Sequence, residues 1–394
     1  MSERLSYQEL EQIKKKLNVF DIYSFSKVNS FKTDPYGYFL KYIMKIPEDR
    51  QDSIYGIVGN IVHDLTEEFQ ADKIKREAMI ETYKDKTFEL EQLGFKFDRT
   101  DENKNESIAK KYHACNIHFL ENFKKIEGKD GISESSIIVK IGNFVFVGYI
   151  DYKHTEEYND DKYLYITDFK TSTIYKGEKI DKEKMQLLLY SLGYIQQGWN
   201  LDKIKARWCF TKYVNVEVME KKKTWKTRQI ERNEIGSKLS ASAKMWLKDT
   251  KRYSEEEIND FLVDMLVKNS IDMLPENIKE KFKISDCYIY IDINKEEIEE
   301  LTQDFINTIH TMKIKEGEYL RTKNDSVFWT EITKDNDYFI SVLSGYSIKL
   351  HKPYAEYLKQ KELDSKPFEF SNKMNNKPDE DDIDIMELLA QLEE

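Results

Sequence analysis

Cysteine, proline, glycine and long apolar runs are all scarce in this chain, and each shortage excludes a kind of protein. The 394 residues include only 3 cysteines, 6 prolines and 14 glycines. Three unevenly spaced cysteines give no disulfide framework and suit a reducing cytoplasm. With so little glycine and proline, we expect no long flexible linker between domains before the C-terminal tail.

The chain also lacks the sequence features of membrane insertion and export. No apolar run approaches the roughly 20 residues of a membrane span, and the N-terminus lacks the apolar core of a signal peptide. Hydrophobic residues make up 40 % of the composition, enough to bury a sizeable core. We therefore expect a cytoplasmic globular protein without membrane contact. The abundance of Lys, Ile, Asn and Tyr favours an AT-rich bacterial or phage source.

The most informative feature is a strand-like run that ends in charged residues. Residues 163–167 are β-branched and aromatic, as in a buried strand, and Asp168, Phe169 and Lys170 follow directly. Strand side chains alternate between faces, so Asp168 and Lys170 share one face while Phe169 points into the opposite layer. The pattern predicts a carboxylate and an ammonium group together at the end of a core strand.

A second carboxylate is predicted beside this pair. Residues 137–147 contain two strand-like runs around Gly142, typical of a tight hairpin. Asp151 follows the second run, so we expect it to end that strand. If the hairpin lies beside the Asp168 strand, two carboxylates meet at one edge and form an oxygen-rich site for Mg²⁺ or Mn²⁺. The combination carries the argument, because isolated Asp-x-Lys triplets also occur elsewhere, as at Asp249.

A helix predicted over residues 181–197 follows the charged strand end. Gln186 and Tyr190 lie four residues apart and therefore share one helical face. An amide and a hydroxyl there would contact a phosphate or orient Lys170. The alternative is a core helix whose two amphipathic residues only border its apolar stripe.

A histidine on an earlier helix is a candidate third ligand. Val58, Val62, Leu65 and Phe69 fall at helical spacing, and His63 lies beside this stripe. A neutral imidazole is a common metal ligand and would complete a site begun by two carboxylates. The alternative is a structural histidine that anchors its helix through a hydrogen bond.

Together these segments resemble the PD-(D/E)XK nuclease superfamily and, within it, the RecB-like branch. Four motifs carry the resemblance: Gly59-xxx-His63, Gly148-xx-Asp151, Asp168-x-Lys170 and Gln186-xxx-Tyr190. The serine- and aromatic-rich residues 23–42 are similar to the opening segment of that branch. The resemblance covers about residues 20–215 and, less closely, 285–350.

The resemblance implies an α/β fold with a restriction-endonuclease-like core, in which helices flank a mixed central sheet and helical insertions are added. We expect residues 1–215 and 285–350 to form the nuclease core with its N-terminal helical part. Residues 216–284 would be a basic helical insertion, 351–370 a C-terminal extension and 371–394 an acidic tail.

The resemblance also implies a metal-dependent deoxyribonuclease, expected to be an exonuclease of DNA recombination, repair or replication. The implied metal ligands are His63, Asp151, Asp168 and the Phe169 backbone carbonyl. The implied catalytic residues are Asp151, Asp168, Lys170, Gln186 and Tyr190, where Lys170 positions the nucleophile or neutralises the transition state. Alternatives that stay open are a binding or assembly subunit that keeps the fold, a structure-specific endonuclease and an RNA nuclease.

One departure from the branch concerns iron–sulfur chemistry. Many relatives carry a cysteine before the proline of the opening segment and three more near the C-terminus, and these bind a cluster. Here Asp34 precedes Pro35, and three cysteines cannot supply four thiolates. We therefore expect no iron–sulfur cluster.

The net charge of −11 is unfavourable for a protein that binds nucleic acid, because phosphate contacts come from Lys and Arg. The distribution is uneven, since residues 203–252 hold fifteen Lys and Arg against five Asp and Glu. Basic residues around an aromatic ring suit a nucleic-acid backbone and an unpaired base. The predicted contacts are Lys221, Lys222, Lys223, Trp225, Lys226 and Arg228. The alternative is an ordinary solvated charged face.

The C-terminal tail has a composition of its own. A polar linker after residue 371 leads to acidic residues 379–384 and a short amphipathic segment, 385–392. Residues 379–394 therefore form a candidate docking segment for a replication or recombination protein. The alternative is that the segment folds back on its own core.

Overall fold

The computed structural model describes residues 5–50, 54–98 and 101–365. The N-terminal part is mainly helical and contains one short strand. Its elements are α1 (Tyr7–Leu17), β1 (Ile22–Tyr23), α2 (Phe25–Thr33), α3 (Pro35–Tyr38), a π-helical turn (Phe39–Ile43), α4 (Ile54–Gln70), α5 (Arg76–Gln92) and α6 (Glu102–Asn122).

The remaining strands come next, in three groups that are separated by helices. The elements are β2 (Lys129–Ile141), β3 (Phe144–Tyr158), β4 (Asp161–Lys170), α7 (Glu178–Gln196), β5 (Ile204–Met219), β6 (Trp225–Glu231), α8 (Ile235–Asp249), α9 (Glu255–Lys268), α10 (Glu276–Lys279), β7 (Phe282–Ile291), α11 (Lys295–Thr322), α12 (Lys334–Tyr338) and α13 (Lys352–Ser365). No helix in the described ranges combines the length and apolarity needed to cross a membrane.

Within the described residues, seven strands form one mixed sheet. Its main order is β1-β3-β4-β5-β6, with β2 paired to β3 and β7 paired to β5. The β2–β3 hairpin turns at Gly142, whose φ of 56° favours glycine. β4 and β5 are parallel and α7 connects them, so both strands run toward the same edge of the sheet. The expected α/β fold with a mixed, helix-flanked sheet is confirmed.

Two apolar layers cover the two faces of the sheet. On one face, Leu187 and Leu189 of α7 and Phe305 of α11 pack in one core with Ile166 of β4. On the other face, α4, α5 and α6 pack against the sheet, and Phe169 is part of that core. Ile166 and Phe169 therefore lie in opposite layers, as the alternation of strand side chains requires.

The segment expected to be an insertion is joined to the sheet by its strands. β5 continues past residue 215, and β7 begins at Phe282. Val216 of β5 packs in a third core with Leu239 of α8 and Met265 of α9. The expected boundaries at 215 and 285 thus fall inside strands. The tail at 371–394 lies outside the described residues.

A buried polar pair connects the two ends of the described chain. The Asp34 carboxylate accepts a 2.9 Å hydrogen bond from the backbone N–H of Gly37 and caps α3. Its Oδ1 also lies 2.9 Å from Nε2 of His351, just before α13, and both side chains are almost completely buried. This contact ties the N-terminal helices to the last described helix.

Candidate active site

The candidate site forms where the β3–β4 ladder ends. The last pair of this antiparallel ladder toward the site is Tyr152 with Thr167. The next residues on the two strands are Asp151 and Asp168, both carboxylates. Instead of continuing the ladder, the Asp151 Oδ2 accepts a 2.7 Å hydrogen bond from the backbone N–H of Phe169. The side chain of one strand thus caps the backbone of the other.

Asp151 lies inside β3, since this strand continues to Tyr158. The prediction that Asp151 ends its strand was wrong. Residues 152–158 of β3 continue to pair with β4. The apolar pattern of the sequence did not predict that β3 extends past Asp151. Two carboxylates still come together, because only one of the two strands has to end at the site.

Asp168 and Lys170 form an ion pair at the end of β4. The Lys170 Nζ lies 2.7 Å from the Asp168 Oδ2, and Asp168 is only 4 % exposed. Burial lowers the pKa of the Lys170 ammonium group, but the negative charges of Asp168 and Asp151 outweigh burial and raise it above its ordinary value. Lys170 therefore stays cationic at neutral pH.

His63 reaches the same site from α4. Its Nδ1 lies 3.6 Å from the Asp151 Oδ2. Burial raises the pKa of Asp151 to about 6; His63 opposes this shift and the neighbouring Asp168 increases it. A buried carboxylate with a raised pKa has an incompletely compensated negative charge, so a cation bound here would be stabilised.

The donor set suits a divalent metal ion, although the ligands are not yet arranged around one point. In the described ranges, no group of three His, Cys, Asp or Glu side chains is placed to hold a metal ion on its own. One Asp168 oxygen contacts Lys170 and one Asp151 oxygen binds the Phe169 N–H. An imidazole, two carboxylates and a nearby backbone carbonyl are nevertheless the ligands that hard divalent ions accept.

Two glycines let the helices approach the strands at this site. A Cβ added to Gly59 of α4 would lie 3.2 Å from the Thr171 Oγ1, just after Lys170. A Cβ added to Gly148 of β3 would lie 2.3 Å from Cε1 of Tyr190, closer than real contacts allow. Both glycines of the motif set therefore mark places where a helix closely approaches the sheet.

The Gln-xxx-Tyr motif of α7 fixes the helix to β3. Gln186 donates a 2.8 Å hydrogen bond to the Tyr190 hydroxyl, which donates a 2.8 Å bond to the Tyr149 carbonyl. Tyr190 is only 3 % exposed, whereas Gln186 is partly exposed. In this geometry Tyr190 positions β3 two residues before Asp151, and Gln186 is the member of the pair that substrate can reach.

Two acidic residues at the site were not predicted from the sequence. Glu67 and Glu134 line one small cavity together with His63 and Asp151. Burial and the charge of Glu134 raise the pKa of Glu67. Glu67 had a usable signal, because it lies one helical turn after His63. Glu134 had none, since it lies in a polar stretch without strand-like alternation.

The predicted nucleic-acid contacts lie on a hairpin at the far end of β5. Lys221, Lys222 and Lys223 form its turn, and Trp225, Lys226 and Arg228 lie on β6; all six are exposed.

The hairpin extends away from the site along the sheet. Lys283 of β7 lies 4.2 Å above the Trp225 ring. Phe210 of β5 pairs with Lys170, and β5 then continues to Met219. At about 3.3 Å per residue, the end of β5 at Met219 lies roughly 30 Å from Phe210, measured along the strand.

A mixed sheet with two carboxylates and a lysine where the β3–β4 ladder ends indicates a nuclease-type hydrolase. The family model of the PD-(D/E)XK nuclease superfamily matches residues 22–325, which is more than half of the chain. The chain therefore belongs to the PD-(D/E)XK nuclease superfamily. Membership implies nucleic-acid binding, and these nucleases typically use divalent metal ions. No curated protein matches the chain.

The close approach of α7 to β3 predicts that Gly148→Ala destabilises the protein. The new methyl group has to displace Tyr190 or Ile137, an overpacking that costs about 1–3 kcal/mol. Urea unfolding measures the loss. Gly56→Ala is the matched control, because nothing lies within 4 Å of its added Cβ and alanine favours a helix by about 0.5–1 kcal/mol. Equal stability of the two variants would contradict this role of Gly148.

Proposed function

We propose that this protein is a Mg²⁺- or Mn²⁺-dependent deoxyribonuclease that degrades DNA from its ends. The single observation that carries the proposal is the convergence of Asp151, Asp168 and Lys170 at the end of the β3–β4 ladder. A protein that only binds nucleic acid has no chemical need for all three groups in one buried place. The exonuclease assignment, and a role in recombination, repair or replication, rest on the resemblance to the RecB-like branch.

In the proposed site, His63, Asp151, Asp168 and the Phe169 carbonyl would hold the metal. A bound divalent ion lowers the pKa of its water and neutralises charge on the scissile phosphate. Asp151 has two tasks, because its Oδ2 also holds the Phe169 N–H and so fixes the residue between Asp168 and Lys170.

Lys170 stabilises negative charge in this proposal and does not act as a base. Its raised pKa keeps the ammonium group protonated beside Asp168. A fixed cation next to the reacting phosphate is most effective where water is largely excluded, and the Lys170 side chain is only 20 % exposed. Gln186 then contacts the substrate, while the hydrogen bond from Tyr190 to Tyr149 fixes α7 against β3.

The basic hairpin extends the proposed substrate path beyond the site. Its tip lies roughly 30 Å along β5, which corresponds to about nine steps of a DNA duplex at 3.4 Å each. Exposed lysines at this distance would hold the duplex that has not yet been degraded. Trp225, under Lys283, lies next to the turn of the hairpin, where its ring is partly exposed beside the three lysines.

Cleavage assays with defined substrates test the proposal. With Mg²⁺ or Mn²⁺, the protein should degrade end-labelled linear DNA, whereas closed circular DNA and EDTA-treated samples should stay intact. Asp168→Asn and Lys170→Ala should lower cleavage by roughly a hundredfold or more, because both groups act on charge that develops in the transition state.

The controls separate chemistry from folding. Asp130→Asn and Lys162→Ala disrupt a surface ion pair with a 2.9 Å contact and should leave cleavage unchanged. Thermal unfolding and DNA binding in EDTA verify that the active-site variants are folded. Normal turnover in either folded variant would remove the site from the mechanism, and preferential cleavage of RNA or circles would overturn the substrate assignment.

If His63 is a metal ligand, its replacement should specifically weaken metal binding. His63→Ala should weaken Mn²⁺ binding by roughly tenfold or more in calorimetric titration without DNA, because an imidazole ligand is removed. His310→Ala, an exposed histidine on α11, is the matched control. A well-folded His63→Ala protein with wild-type Mn²⁺ affinity would show that His63 only anchors α4.

If the basic hairpin binds DNA phosphates, removing its lysines should change the salt dependence of DNA binding. Replacing Lys221, Lys222 and Lys223 by alanine should flatten the plot of log binding constant against log salt by roughly 0.9 for each phosphate that the variant no longer neutralises. Lys14, Lys15 and Lys16 on α1 form a second lysine triplet and provide the matched control. An identical slope for the two triple variants would show that the hairpin is an ordinary solvated face.

A further inference from the structure

One part of the sheet face carries four tyrosines that are at least partly exposed, although one of them, Tyr288, also packs against the α4–α6 core. The α4–α6 layer covers this face at Phe169 and Cys209, which belong to its core. Farther from the site, toward the start of β4 and β5, the same face carries four tyrosines. Together they are called the tyrosine face: Tyr163, Tyr165, Tyr288 and Tyr290. Tyr290 is 52 % exposed and the other three are partly exposed.

A buried arginine holds these rings in place. The Arg207 guanidinium lies 4.1 Å from the centre of the Tyr288 ring, 5.3 Å from that of Tyr165 and 5.5 Å from that of Tyr290. It also donates a 2.8 Å hydrogen bond to the Tyr290 hydroxyl and a 2.9 Å bond to the Thr167 hydroxyl. Rings fixed in this way lose little conformational entropy when a ligand stacks on them.

A row of ring contacts that is buried at His154 and Tyr152 shows how near the tyrosine face lies to the candidate active site. Tyr165 stacks on His154 at 4.9 Å, and His154 stacks on Tyr152 at 5.6 Å. Tyr152 lines the same small cavity as His63 and Asp151. The tyrosine face is therefore only two ring contacts away from a residue that lines the site.

Cations border the tyrosine face on two sides. Lys203 and Lys205 lie over the Tyr163 ring at 4.6 and 5.7 Å. On the other side, Lys124 and Lys125 line a groove of about 690 Å³ together with Arg207 and Tyr288.

The groove also contains carboxylates, and two of them already have cationic or hydrogen-bonding partners. Asp286 pairs with Arg232, and Glu156 contacts His154. Lys203 also pairs with Asp161 and Lys125 with Asp72, so phosphates would compete with these carboxylates for the two lysines. Lys205, Lys124 and the tyrosine rings supply further positive charge and aromatic surface.

We propose that the tyrosine face binds the unpaired bases of single-stranded DNA whose adjoining part occupies the active site. The polymer is DNA because the inference rests on the proposed nuclease function. Stacking on aromatic rings within a basic groove is how proteins hold single strands without sequence preference. A duplex does not satisfy this surface, because its bases already stack on each other and offer no free face to the tyrosines.

Binding of a labelled oligothymidylate to the full-length protein in EDTA tests the inference without cleavage. Tyr165→Leu combined with Tyr290→Leu should raise the Kd roughly tenfold or more, because removing each ring removes a stacking interaction. Tyr290→Phe should bind far more tightly than the Leu variant, since it keeps the ring and removes only the hydroxyl that accepts a hydrogen bond from Arg207. Tyr7→Leu, on α1 and 76 % exposed, is the matched control and should have no effect.

A second readout identifies the contact directly. Photocrosslinking with an iodouracil-containing oligonucleotide should attach the strand to Tyr165 or Tyr290, as read by mass spectrometry of the peptides. If the double Leu variant is unstable, Tyr163→Leu replaces it, with thermal unfolding as the check.

The outcomes separate this inference from the proposed function. If the wild-type protein cleaves DNA in Mn²⁺ but the folded Leu variant binds the oligonucleotide normally, the proposal that the tyrosine face binds single strands is overturned. The nuclease proposal then stands. A wild-type protein that binds the oligonucleotide through these tyrosines but never cleaves overturns the nuclease proposal and leaves the binding surface in place. Loss of binding in Tyr290→Phe equal to that in the Leu variant would overturn ring stacking.

Discussion

The end of the β3–β4 ladder is the constraint on which the rest of the candidate site depends. Two carboxylates that face each other across an antiparallel ladder repel, and here the repulsion is reduced because Asp151 binds the Phe169 N–H while Asp168 pairs with Lys170. Because regular pairing stops here, β4 ends a few residues later, and the side chains of Asp151, Asp168 and Lys170 lie close together in one largely buried place. Tyr190 holds this place from one face of the sheet, and α4 closes it from the other.

A second long-range contact holds the outer helices. Asp34 occupies the position where, according to the resemblance, many relatives carry a cluster-binding cysteine, and here its carboxylate meets His351 near the end of the described chain. The buried Asp34 carboxylate has two partners, His351 and the Gly37 N–H, and these contacts offset the cost of removing it from water.

Local patterns predicted what depends on local geometry. Alternation along β4 correctly separated Asp168 from Phe169, and helical spacing identified the buried stripe of α4. The course of β3 beyond Asp151 was not predictable, because pairing with β4 sustains that strand and its own apolar pattern does not. The tyrosine face was not predictable from the sequence either. Its rings come from β4 and β7, which both pair with β5 but are more than a hundred residues apart in the chain.

β5 connects the proposed surfaces of the nuclease. Its first half carries Lys205 and Arg207 beside the tyrosine face, Phe210 pairs with Lys170 at the site, and its second half leads to the basic hairpin. Our proposals therefore place a surface for unpaired bases and a surface for duplex phosphates on opposite sides of one reaction centre. Two such surfaces suit a DNA end at which a duplex continues into a single strand. A closed circle offers no such junction, and this is the physical reason to expect that cleavage depends on ends.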